Sequence, residues 1–193
     1  DGLAGTTIKS VWRRGKYLVC SLDSGDALMV HLRMSGRLLV ATRAAPRELH
    51  THVVLSFGDE ELRFVDPRTF GEMVVFDPDH VDRELPELGR LGVDPIVDHF
   101  DAGVLAGVLS GTRRAVKTVL LDQHRIAGLG NIYTDEVLHR AGVRFDRPAD
   151  AVRPKEIARL ADSVLDVLSR AIEQGGSTLD DTQYVDLLGR TGS

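Results

Sequence analysis

Residues 128–136 of the chain are GLGNIYTDE, and they separate two helical patterns. Apolar side chains recur at helical spacing over residues 113–122, and a second helix is predicted over residues 132–140, ending at Gly142. The glycines of the intervening turn let the backbone approach a phosphate, and the amides at the next helix start are free to donate to it. Asn131 adds a side-chain donor. The alternative is a plain interhelical turn without a ligand.

Two further helices are predicted in the same half of the chain. The first covers residues 101–109, with Asp101 near its start. The second covers residues 154–174, with Pro154 in its first turn and two glycines after its end. The apolar stripe of this long helix consists of Ile157, Leu160, Ala161, Val164, Val167, Leu168 and Ile172.

Before residue 78 the chain alternates between short apolar strands and polar turns, which is typical of an antiparallel sandwich or a partly open barrel. The fold class is therefore α+β. We expect a β domain at residues 1–77, an acidic linker at 78–100 and a helical, helix–two-turn–helix domain at 101–193. The predicted strands cover residues 7–13, 16–22, 27–34, 37–40, 53–57, 62–65 and 72–76.

The net charge of −5 by itself does not favour a nucleic-acid partner. The charge is unevenly distributed, however, because residues 71–110 are strongly acidic whereas residues 1–70 and 111–131 carry an excess of Lys and Arg. Locally basic segments are compatible with a basic surface on one side of the molecule.

A single cysteine, Cys20, excludes an internal disulfide and a thiolate-rich zinc site. Its apolar strand context predicts a core position. No apolar run reaches transmembrane length and no leader-like segment opens the chain, so we expect a cytoplasmic protein that does not enter a membrane.

Three cations surround Gly15 at the tip of the first predicted hairpin, in the sequence RRGKYL. Such a tip is suited to contact a phosphate backbone or a reacting sugar. The alternative is a solvated turn in which Arg13, Arg14 and Lys16 only face water.

Met34 lies in HLRMSG, beside a Ser-Gly turn at the end of a predicted strand. A methionine at a strand end is usually a core residue. On an exposed loop, however, the same side chain is a suitable apolar wedge for separating stacked bases.

The sequence DPRTFG, residues 66–71, places a cation and an aromatic ring two positions apart. An enzyme that flips a base out of the duplex must fill the hole that the base leaves. A ring that stacks and a guanidinium that binds the orphaned partner base suit this task. The alternative is a simple structural contact between Asp66 and Arg68.

These motifs, in this order, resemble the bacterial formamidopyrimidine-DNA glycosylases over nearly the whole chain. The resemblance rests on RRGKYL, HLRMSG, HTHVVLSF, DPRTFG, the spacing from Lys117 to Asn131, GLGNIYTDE and the closing Gly-Gly pair. It implies that Lys16 is the hairpin lysine that reaches the active site and assists the chemistry. It also implies that Met34, Arg68 and Phe70 fill the void left by the everted nucleotide.

The resemblance further implies a set of DNA contacts. Lys117 and Asn131 match residues that grip phosphates around the lesion, and the basic pair upstream of Lys117 supplies another contact. Residues 175–193 match the start of the loop that closes over the flipped base. The implied DNA-binding residues are His50, Arg68, Arg113, Arg114, Lys117 and Asn131.

The chain departs from the family pattern at its two ends. The family's nucleophile is the amine of an amino-terminal proline followed by a glutamate, whereas Asp1-Gly2-Leu3 stands first here. The family also ends in a four-cysteine ribbon that binds structural zinc, which Cys20 alone does not provide. We therefore expect a fragment that binds no cofactor itself, whose catalytic segment and zinc ribbon belong to a longer protein.

The resemblance implies base-excision repair of damaged duplex DNA by a monomeric, nucleoid-associated glycosylase and AP lyase. The substrates are 8-oxoguanine and formamidopyrimidines, and strand cleavage follows by β,δ-elimination through a Schiff base. Three alternatives stay open: a damage-binding module without catalysis, an endonuclease VIII-type enzyme for oxidised pyrimidines, and a helical domain for protein interaction. The clustering of Arg113, Arg114, Lys117 and Asn131 disfavours the last.

Overall fold

The computed structural model describes residues 2–176 and 185–192. Strands occupy the first part of this range and helices the second, as the sequence pattern predicts. The strands are β1 (Ile8–Arg14), β2 (Tyr17–Leu22), β3 (Ala27–His31), β4 (Arg37–Thr42), β5 (Thr51–Phe57), β6 (Glu60–Val65) and β7 (Glu72–Phe76). The helices are α1 (Val81–Glu84), α2 (Pro86–Gly89), α3 (Ala102–Leu109), α4 (Val116–Leu120), α5 (Asn131–Ala141) and α6 (Pro154–Glu173).

The strands form two sheets, with the orders β1-β2-β3-β7 and β4-β6-β5. Pairing is antiparallel between β2 and β3 and on both sides of β6. Apolar side chains of both sheets share one core, in which the first sheet contributes Cys20, Leu28 and Val30 and the second contributes Leu38 and Phe64. The predicted α+β class and the sandwich arrangement are therefore confirmed, and Cys20 is buried as expected.

Strand β3 ends at His31, earlier than the predicted end at residue 34. Arg33 has a φ of 54°, a left-handed conformation that cannot continue a strand. Its backbone N–H donates to Nδ1 of His31 at 3.0 Å instead of to a neighbouring strand. Residues 32–36 therefore form a turn, which we call the Met34 turn.

The described residues fall into two compact units. One comprises residues 2–11, 17–75, 171–176 and 185–192, and the other comprises 12–16 and 76–170. This grouping differs from the sequence-based division at residues 77 and 100. The segment predicted as an acidic linker, residues 78–100, contains α1 and α2 and falls in the same compact unit as the later helices. A bridge between Val93 and Ile126 is one of the contacts that hold it there.

The helical unit has its own apolar core, to which α3, α4, α5 and α6 all contribute. Asp101 caps α3 by accepting from the Val104 N–H at 2.8 Å, and Gly142 ends α5 in the left-handed conformation, as predicted. The predicted stripe of α6 faces this core except at Ile172, which is 59% exposed. The sequence-derived helices therefore correspond closely to α3, α5 and α6.

Helix α4 is shorter than the helix predicted over residues 113–122. The backbone before it pairs with a distant segment: Ala115 forms an isolated antiparallel bridge with Pro148, and the Val116 N–H donates to the Arg147 carbonyl at 2.8 Å. A backbone engaged in this way is not available to helical hydrogen bonds. The basic pair upstream of Lys117 consequently precedes α4 instead of lying on its first turn.

Glu156 fastens the start of α6 to the preceding loop, and it is 4% exposed. Its carboxylate accepts from the side chain and the backbone N–H of Arg153 and from Arg147 at 2.8 Å. The hydrogen bonds from Arg153 lead the interactions that lower the pKa of Glu156 to about 2 despite its burial. The carboxylate is therefore charged in the folded protein at neutral pH.

Candidate functional site

Two turns of the β unit present large apolar side chains to solvent. Met34 lies on the Met34 turn between β3 and β4 and is 56% exposed. Phe70 lies at residues 66–71 between β6 and β7, which we call the Phe70 turn, and is 58% exposed. The interpretation of Met34 as a core residue is therefore wrong, because the chain leaves the sheet core after His31.

The guanidinium of Arg68 connects these two turns. Its Nη1 lies 3.7 Å from the sulfur of Met34. The alternative, a structural contact between Asp66 and Arg68, is also present, because Asp66 Oδ1 accepts from the backbone N–H of Arg68 at 3.2 Å. The structure thus brings Met34 and Arg68 into contact and places Phe70 two residues further along the same turn.

His50 is also linked to the Phe70 turn. It is exposed, with a φ of 65°, and its carbonyl accepts from the Asp66 N–H at 3.0 Å. The neighbouring His52 ring contacts the Asp66 carbonyl at 2.9 Å through Nε2. The predicted DNA contact at His50 therefore belongs to the same part of the β unit as Arg68.

In the helical unit, the two arginines of the RRGK tip are engaged in ion pairs. Arg13 Nη2 lies 3.0 Å from Asp94, and Arg14 Nη1 lies 2.6 Å from Asp98. Asp94 is 1% exposed and also accepts from the Gly15 N–H at 2.7 Å. Burial alone would raise the pKa of Asp94, but the Arg13 guanidinium and backbone amides outweigh it and hold the pKa below its ordinary value. The sequence suggested that these arginines either contact phosphate or are freely solvated. Neither prediction describes these ion pairs.

Lys16, by contrast, extends towards the GLGN turn. A Cβ placed on Gly130 would lie 3.6 Å from its Nζ, so the amine is next to the backbone at the start of α5. Surrounding protein atoms remove part of the hydration of the amine, which lowers the pKa of Lys16, although the side chain as a whole is exposed. A cation beside the positive end of a helix is available to an anionic ligand.

The glycines in this region allow two backbone segments to approach closely. A Cβ on Gly15 would lie 3.2 Å from the Cβ of Ala127 and 3.6 Å from the amide nitrogen of Gly128. Gly128 has a φ of 99°, which side-chain-bearing residues rarely adopt. In this structure the glycines therefore serve the packing of the RRGK tip against the GLGN turn, and the plain-turn interpretation is incomplete.

Lys117 and Asn131 lie on or beside one face of α5. Asn131 is the exposed first residue of the helix, and Asp135 follows one turn later on the same side. The amine of Lys117 lies 2.6 Å from Oδ1 of Asp135 and 2.8 Å from Oδ2. Lys16 and Asn131 therefore lie at the start of α5 and Lys117 pairs with Asp135 one turn further along, and we call these three residues the α5 site.

Arg113 and Arg114 are exposed and precede α4. Arg114 pairs with Asp122 at 2.8 Å, at the end of α4 that leads away from its first turn. Arg114 is therefore directed to a different partner from Lys117, and the predicted clustering of these cations with Asn131 stays a prediction.

The described part of the chain offers no zinc site. Within it, no three His, Cys, Asp or Glu side chains form a group that could hold a metal ion, and Cys20 lies in the core. The residues present therefore do not fit the zinc of the family's ribbon. Among residues 2–176 and 185–192, no helix is long and apolar enough to cross a membrane.

Sequence reasoning did not identify the roles of two buried carboxylates that hold the candidate residues. It considered Asp66 only as a contact of Arg68 and did not consider Asp94. Each of them precedes a proline, in DPRTFG and in VDPI, at the end of an ordered segment. An aspartate before proline is a common turn signal. That local signal predicts a turn, but it does not reveal which distant amides the carboxylate binds.

Two family models match the chain. The formamidopyrimidine-DNA glycosylase N-terminal domain matches residues 1–73, and the formamidopyrimidine-DNA glycosylase H2TH domain matches residues 91–183. The formamidopyrimidine-DNA glycosylase of Moorella thermoacetica is 47% identical over 192 residues, which is 99% of this chain and 69% of the relative. The chain belongs to the formamidopyrimidine-DNA glycosylase family. The glycosylase of Salinispora arenicola is 45% identical and is covered to 67% of its length.

Solved structures of formamidopyrimidine-DNA glycosylases have the same fold. The Lactococcus lactis enzyme in complex with DNA containing an abasic site has a TM-score of 0.88 at 36% identity, covering 99% of this chain and 69% of that one. A complex of the same enzyme with DNA containing Fapy-dG has a TM-score of 0.87, and one with DNA containing an oxidised pyrimidine has a TM-score of 0.86, both at 36% identity. They cover 100% and 99% of this chain and 69% and 68% of the enzyme chain, respectively.

Proposed function

We propose that this chain acts in base-excision DNA repair, as the lesion-recognising and strand-binding part of a glycosylase and AP lyase that removes oxidised purines from duplex DNA. The observation that carries the proposal is the exposed Met34 in contact with Arg68, on turns of a family member. An exposed apolar side chain beside a cation on a turn is suited to enter between stacked bases.

In this proposal Met34, Arg68 and Phe70 form the wedge that enters the duplex when the damaged nucleotide is everted. Phe70 is a ring that stacks, and Arg68 carries donors for the orphaned base opposite the lesion. The thioether of Met34 fills the remaining apolar space. His50, whose backbone is bonded to Asp66, contacts the DNA beside this wedge.

The α5 site supplies the grip on the phosphates. Lys117 and the side chain of Asn131 lie at a helix start, where backbone amides also attract an anion. A phosphate that binds there competes with Asp135 for Lys117. Arg113 is an exposed additional phosphate contact, and Arg114 becomes one when it leaves Asp122.

Lys16 is proposed to assist the chemistry at the damaged sugar. Its amine lies beside the backbone of Gly130, and its lowered pKa increases the fraction that is able to accept a proton near neutral pH. The nucleophile itself is proposed to be a proline amine outside residues 1–193, which attacks the sugar carbon, expels the base and forms a Schiff base. The polypeptide of residues 1–193 taken alone therefore binds damage and excises nothing.

Damaged duplex DNA is the proposed partner, bound by a monomer in the bacterial cytoplasm and at the nucleoid. The structural zinc of the family is proposed to lie in a ribbon outside residues 1–193, because the described residues do not fit a zinc ion. The division of labour proposed for the chain is a β domain at residues 1–77 that bears the wedge and a helical domain at 101–193 that bears the phosphate grip. The proposed lesion-recognition loop at residues 175–193 lies partly outside the described residues.

The proposal is tested with fluorescent duplexes that contain 8-oxoguanine, an oxidised pyrimidine, a tetrahydrofuran abasic analogue or no lesion. Residues 1–193 should prefer the abasic duplex over the undamaged one and should form no adduct on borohydride reduction. A chimera that adds the terminal segments of the Moorella thermoacetica relative should cleave the 8-oxoguanine strand and give a trapped adduct.

Each outcome separates one alternative. Equal binding to damaged and undamaged duplexes would remove the repair function. An adduct formed by residues 1–193 alone would overturn the proposed inactivity of this polypeptide, whereas a chimera that binds lesions without cleavage would favour a damage-binding module. Faster cleavage at the oxidised pyrimidine than at 8-oxoguanine would favour the endonuclease VIII-type alternative.

A further inference from the structure

The Met34 turn and the Phe70 turn each contain a strained backbone position. Arg33 has a φ of 54° and Thr69 a φ of 56°, although neither is glycine. A left-handed conformation at such residues is unfavourable and persists only where surrounding contacts impose it. Each turn therefore needs an anchor that outweighs the local preference of the chain.

The carboxylate of Asp66 is an anchor common to both turns. It is 1% exposed. Its Oδ1 accepts from the Ser35 hydroxyl at 2.5 Å and from the Arg68 N–H at 3.2 Å, and its Oδ2 accepts from the Gly71 N–H at 2.7 Å. Ser35 directly follows Met34, and Gly71 directly follows Phe70. One buried side chain thus binds next to each of the three wedge positions.

The backbone of Asp66 is engaged as well. Its N–H donates to the His50 carbonyl at 3.0 Å, and its own carbonyl lies 2.9 Å from Nε2 of His52. His50 is a further left-handed position, with a φ of 65°. The connections of Asp66 therefore reach every DNA-contacting candidate of the β unit.

We propose that Asp66 is the positioning residue that fixes Met34, Arg68 and Phe70 as a single preorganised wedge. This inference rests on the proposed function, because it assigns Asp66 a part in lesion recognition. Asp66 itself touches neither DNA nor the reacting atoms, and it acts only through the two turns. A wedge ordered before binding loses little conformational entropy when it enters the duplex, so its order contributes directly to lesion preference.

The geometry requires a carboxylate and not merely a polar side chain. The three donors approach both oxygens of Asp66, and an ionised carboxylate accepts at both. An asparagine has one oxygen only. If its oxygen faces Gly71, its amide group meets the Arg68 N–H, and if its oxygen faces Arg68, its amide group meets the Gly71 N–H. Either orientation leaves a backbone donor of the Phe70 turn unpaired, whereas the Ser35 hydroxyl of the Met34 turn is able to donate to the oxygen or to accept from the amide group.

Burial alone would raise the pKa of Asp66, but the hydrogen bond from the Ser35 hydroxyl and those from backbone amides of the Phe70 turn outweigh it. The pKa of Asp66 is held below its ordinary value, and the side chain is ionised at neutral pH. An Asp66→Asn substitution therefore removes a charge and an acceptor while almost preserving shape.

The first measurement is hydrogen exchange of the folded chain without DNA. Asp66→Asn should raise the exchange rates of amides in the Phe70 turn, residues 68–71, by about tenfold, and Asp66→Ala, which removes every acceptor, should do so in the Met34 turn, residues 33–36, as well, with β2 unchanged. Ser35→Ala should raise exchange in the Met34 turn only. Unchanged exchange in either turn of Asp66→Ala would overturn the role of Asp66 as their common anchor.

The second measurement is binding to the tetrahydrofuran duplex and to the undamaged duplex. Asp66→Asn should lower the ratio of the two affinities about tenfold and leave affinity for undamaged DNA unchanged. Glu156→Gln is the matched control, because it also replaces a buried carboxylate by an amide but lies on α6, where the partners are Arg147 and Arg153. It should leave the ratio unaltered even if it costs as much stability.

The combined outcomes distinguish this inference from the proposed function. A wild-type chain that binds both duplexes equally would refute the proposed function, and the exchange measurement would then decide the anchoring role alone. A wild-type preference that Asp66→Asn does not reduce, or that Glu156→Gln reduces equally, would overturn Asp66 as a positioning residue while the repair function stands.

Discussion

The wedge turns and the α5 site hold their candidate residues by different means. In the Met34 and Phe70 turns, the buried Asp66 binds mainly backbone amides and pairs with neither Arg33 nor Arg68, the exposed cations of these turns. At the α5 site, the exposed Asp135 binds the end of the Lys117 side chain. The first arrangement fixes the conformation of the two turns. The second holds the Lys117 amine in an ion pair, in which another anion is able to replace Asp135.

This contrast teaches how burial divides the carboxylates by role. Asp66 and Asp94 are each 1% exposed and organise turns, so their loss would change where the backbone runs. Asp135 is 58% exposed at its side chain, and its ion pair is largely screened by water. We therefore expect the buried carboxylates to determine stability and geometry and the exposed one to modulate affinity.

The largest effect expected is that of Asp94→Ala on stability. The substitution leaves the Gly15 and Ile96 N–H groups without their acceptor and separates Arg13, which is 36% exposed, from its partner; the two unpaired backbone donors together cost about 3 kcal/mol. The free energy of unfolding from urea titration measures the loss. Asp146→Ala, which breaks the exposed pair with Arg144, is the control and should cost far less, because water screens that pair. An equal loss of unfolding free energy in the two variants would contradict the distinction between buried and exposed carboxylates.

The elements that sequence reasoning predicted correctly are those set by local signals. Gly142 ends α5, Asp101 caps α3, and strand alternation located all seven described strands to within a few residues. Each of these signals acts within one turn or one strand. The positions of Met34, Arg68 and Phe70 in exposed turns followed from the same motifs through the family resemblance.

The errors have non-local causes. The start of α4 depends on a bridge from Ala115 to Pro148, and the end of β3 depends on the left-handed Arg33. The partner of Arg13 lies 81 positions away at Asp94. No local pattern specifies such pairings, because they depend on which segments the folded chain brings together. The ion pairs of Arg13 and Arg14 at the RRGK tip were therefore not predictable from the sequence.

The second prediction concerns the wedge itself. Met34→Ala combined with Phe70→Ala removes the exposed apolar surface of both turns and should lower the preference for an abasic duplex over an undamaged one by at least about tenfold. Affinity for undamaged DNA should change little, because phosphate contacts supply it. Fluorescence anisotropy with both duplexes measures this difference. Phe57→Ala, which truncates another exposed ring of the β unit, should leave the preference intact, and a loss of affinity on both duplexes would remove the wedge assignment.

The third prediction concerns the α5 site. Lys117→Ala should weaken binding to damaged and undamaged duplexes alike and should reduce the slope of log affinity against log salt by about 0.9. The reason is that one fewer phosphate charge is neutralised by the protein. Titrations between about 50 and 200 mM salt provide the slope. Lys155→Ala removes an exposed lysine on α6 and should leave the slope unchanged. A Lys117→Ala slope equal to that of the wild type would exclude a phosphate contact at this lysine.

The smallest expected effect is a gain in DNA affinity. It tests whether phosphate is able to replace Asp135 as the partner of Lys117 at the α5 site. Asp135→Asn removes the carboxylate that competes with phosphate for Lys117, so affinity for any duplex should rise about threefold at low salt. Stability should change by less than about 0.5 kcal/mol, since the pair is exposed. When Asp135→Asn is combined with Lys117→Ala, most of this gain should disappear. The part that remains is due to the loss of repulsion between Asp135 and DNA. A fall in affinity would mean that Asp135 orients Lys117 for the phosphate, and the α5 site would then be preorganised in the same sense as the wedge turns.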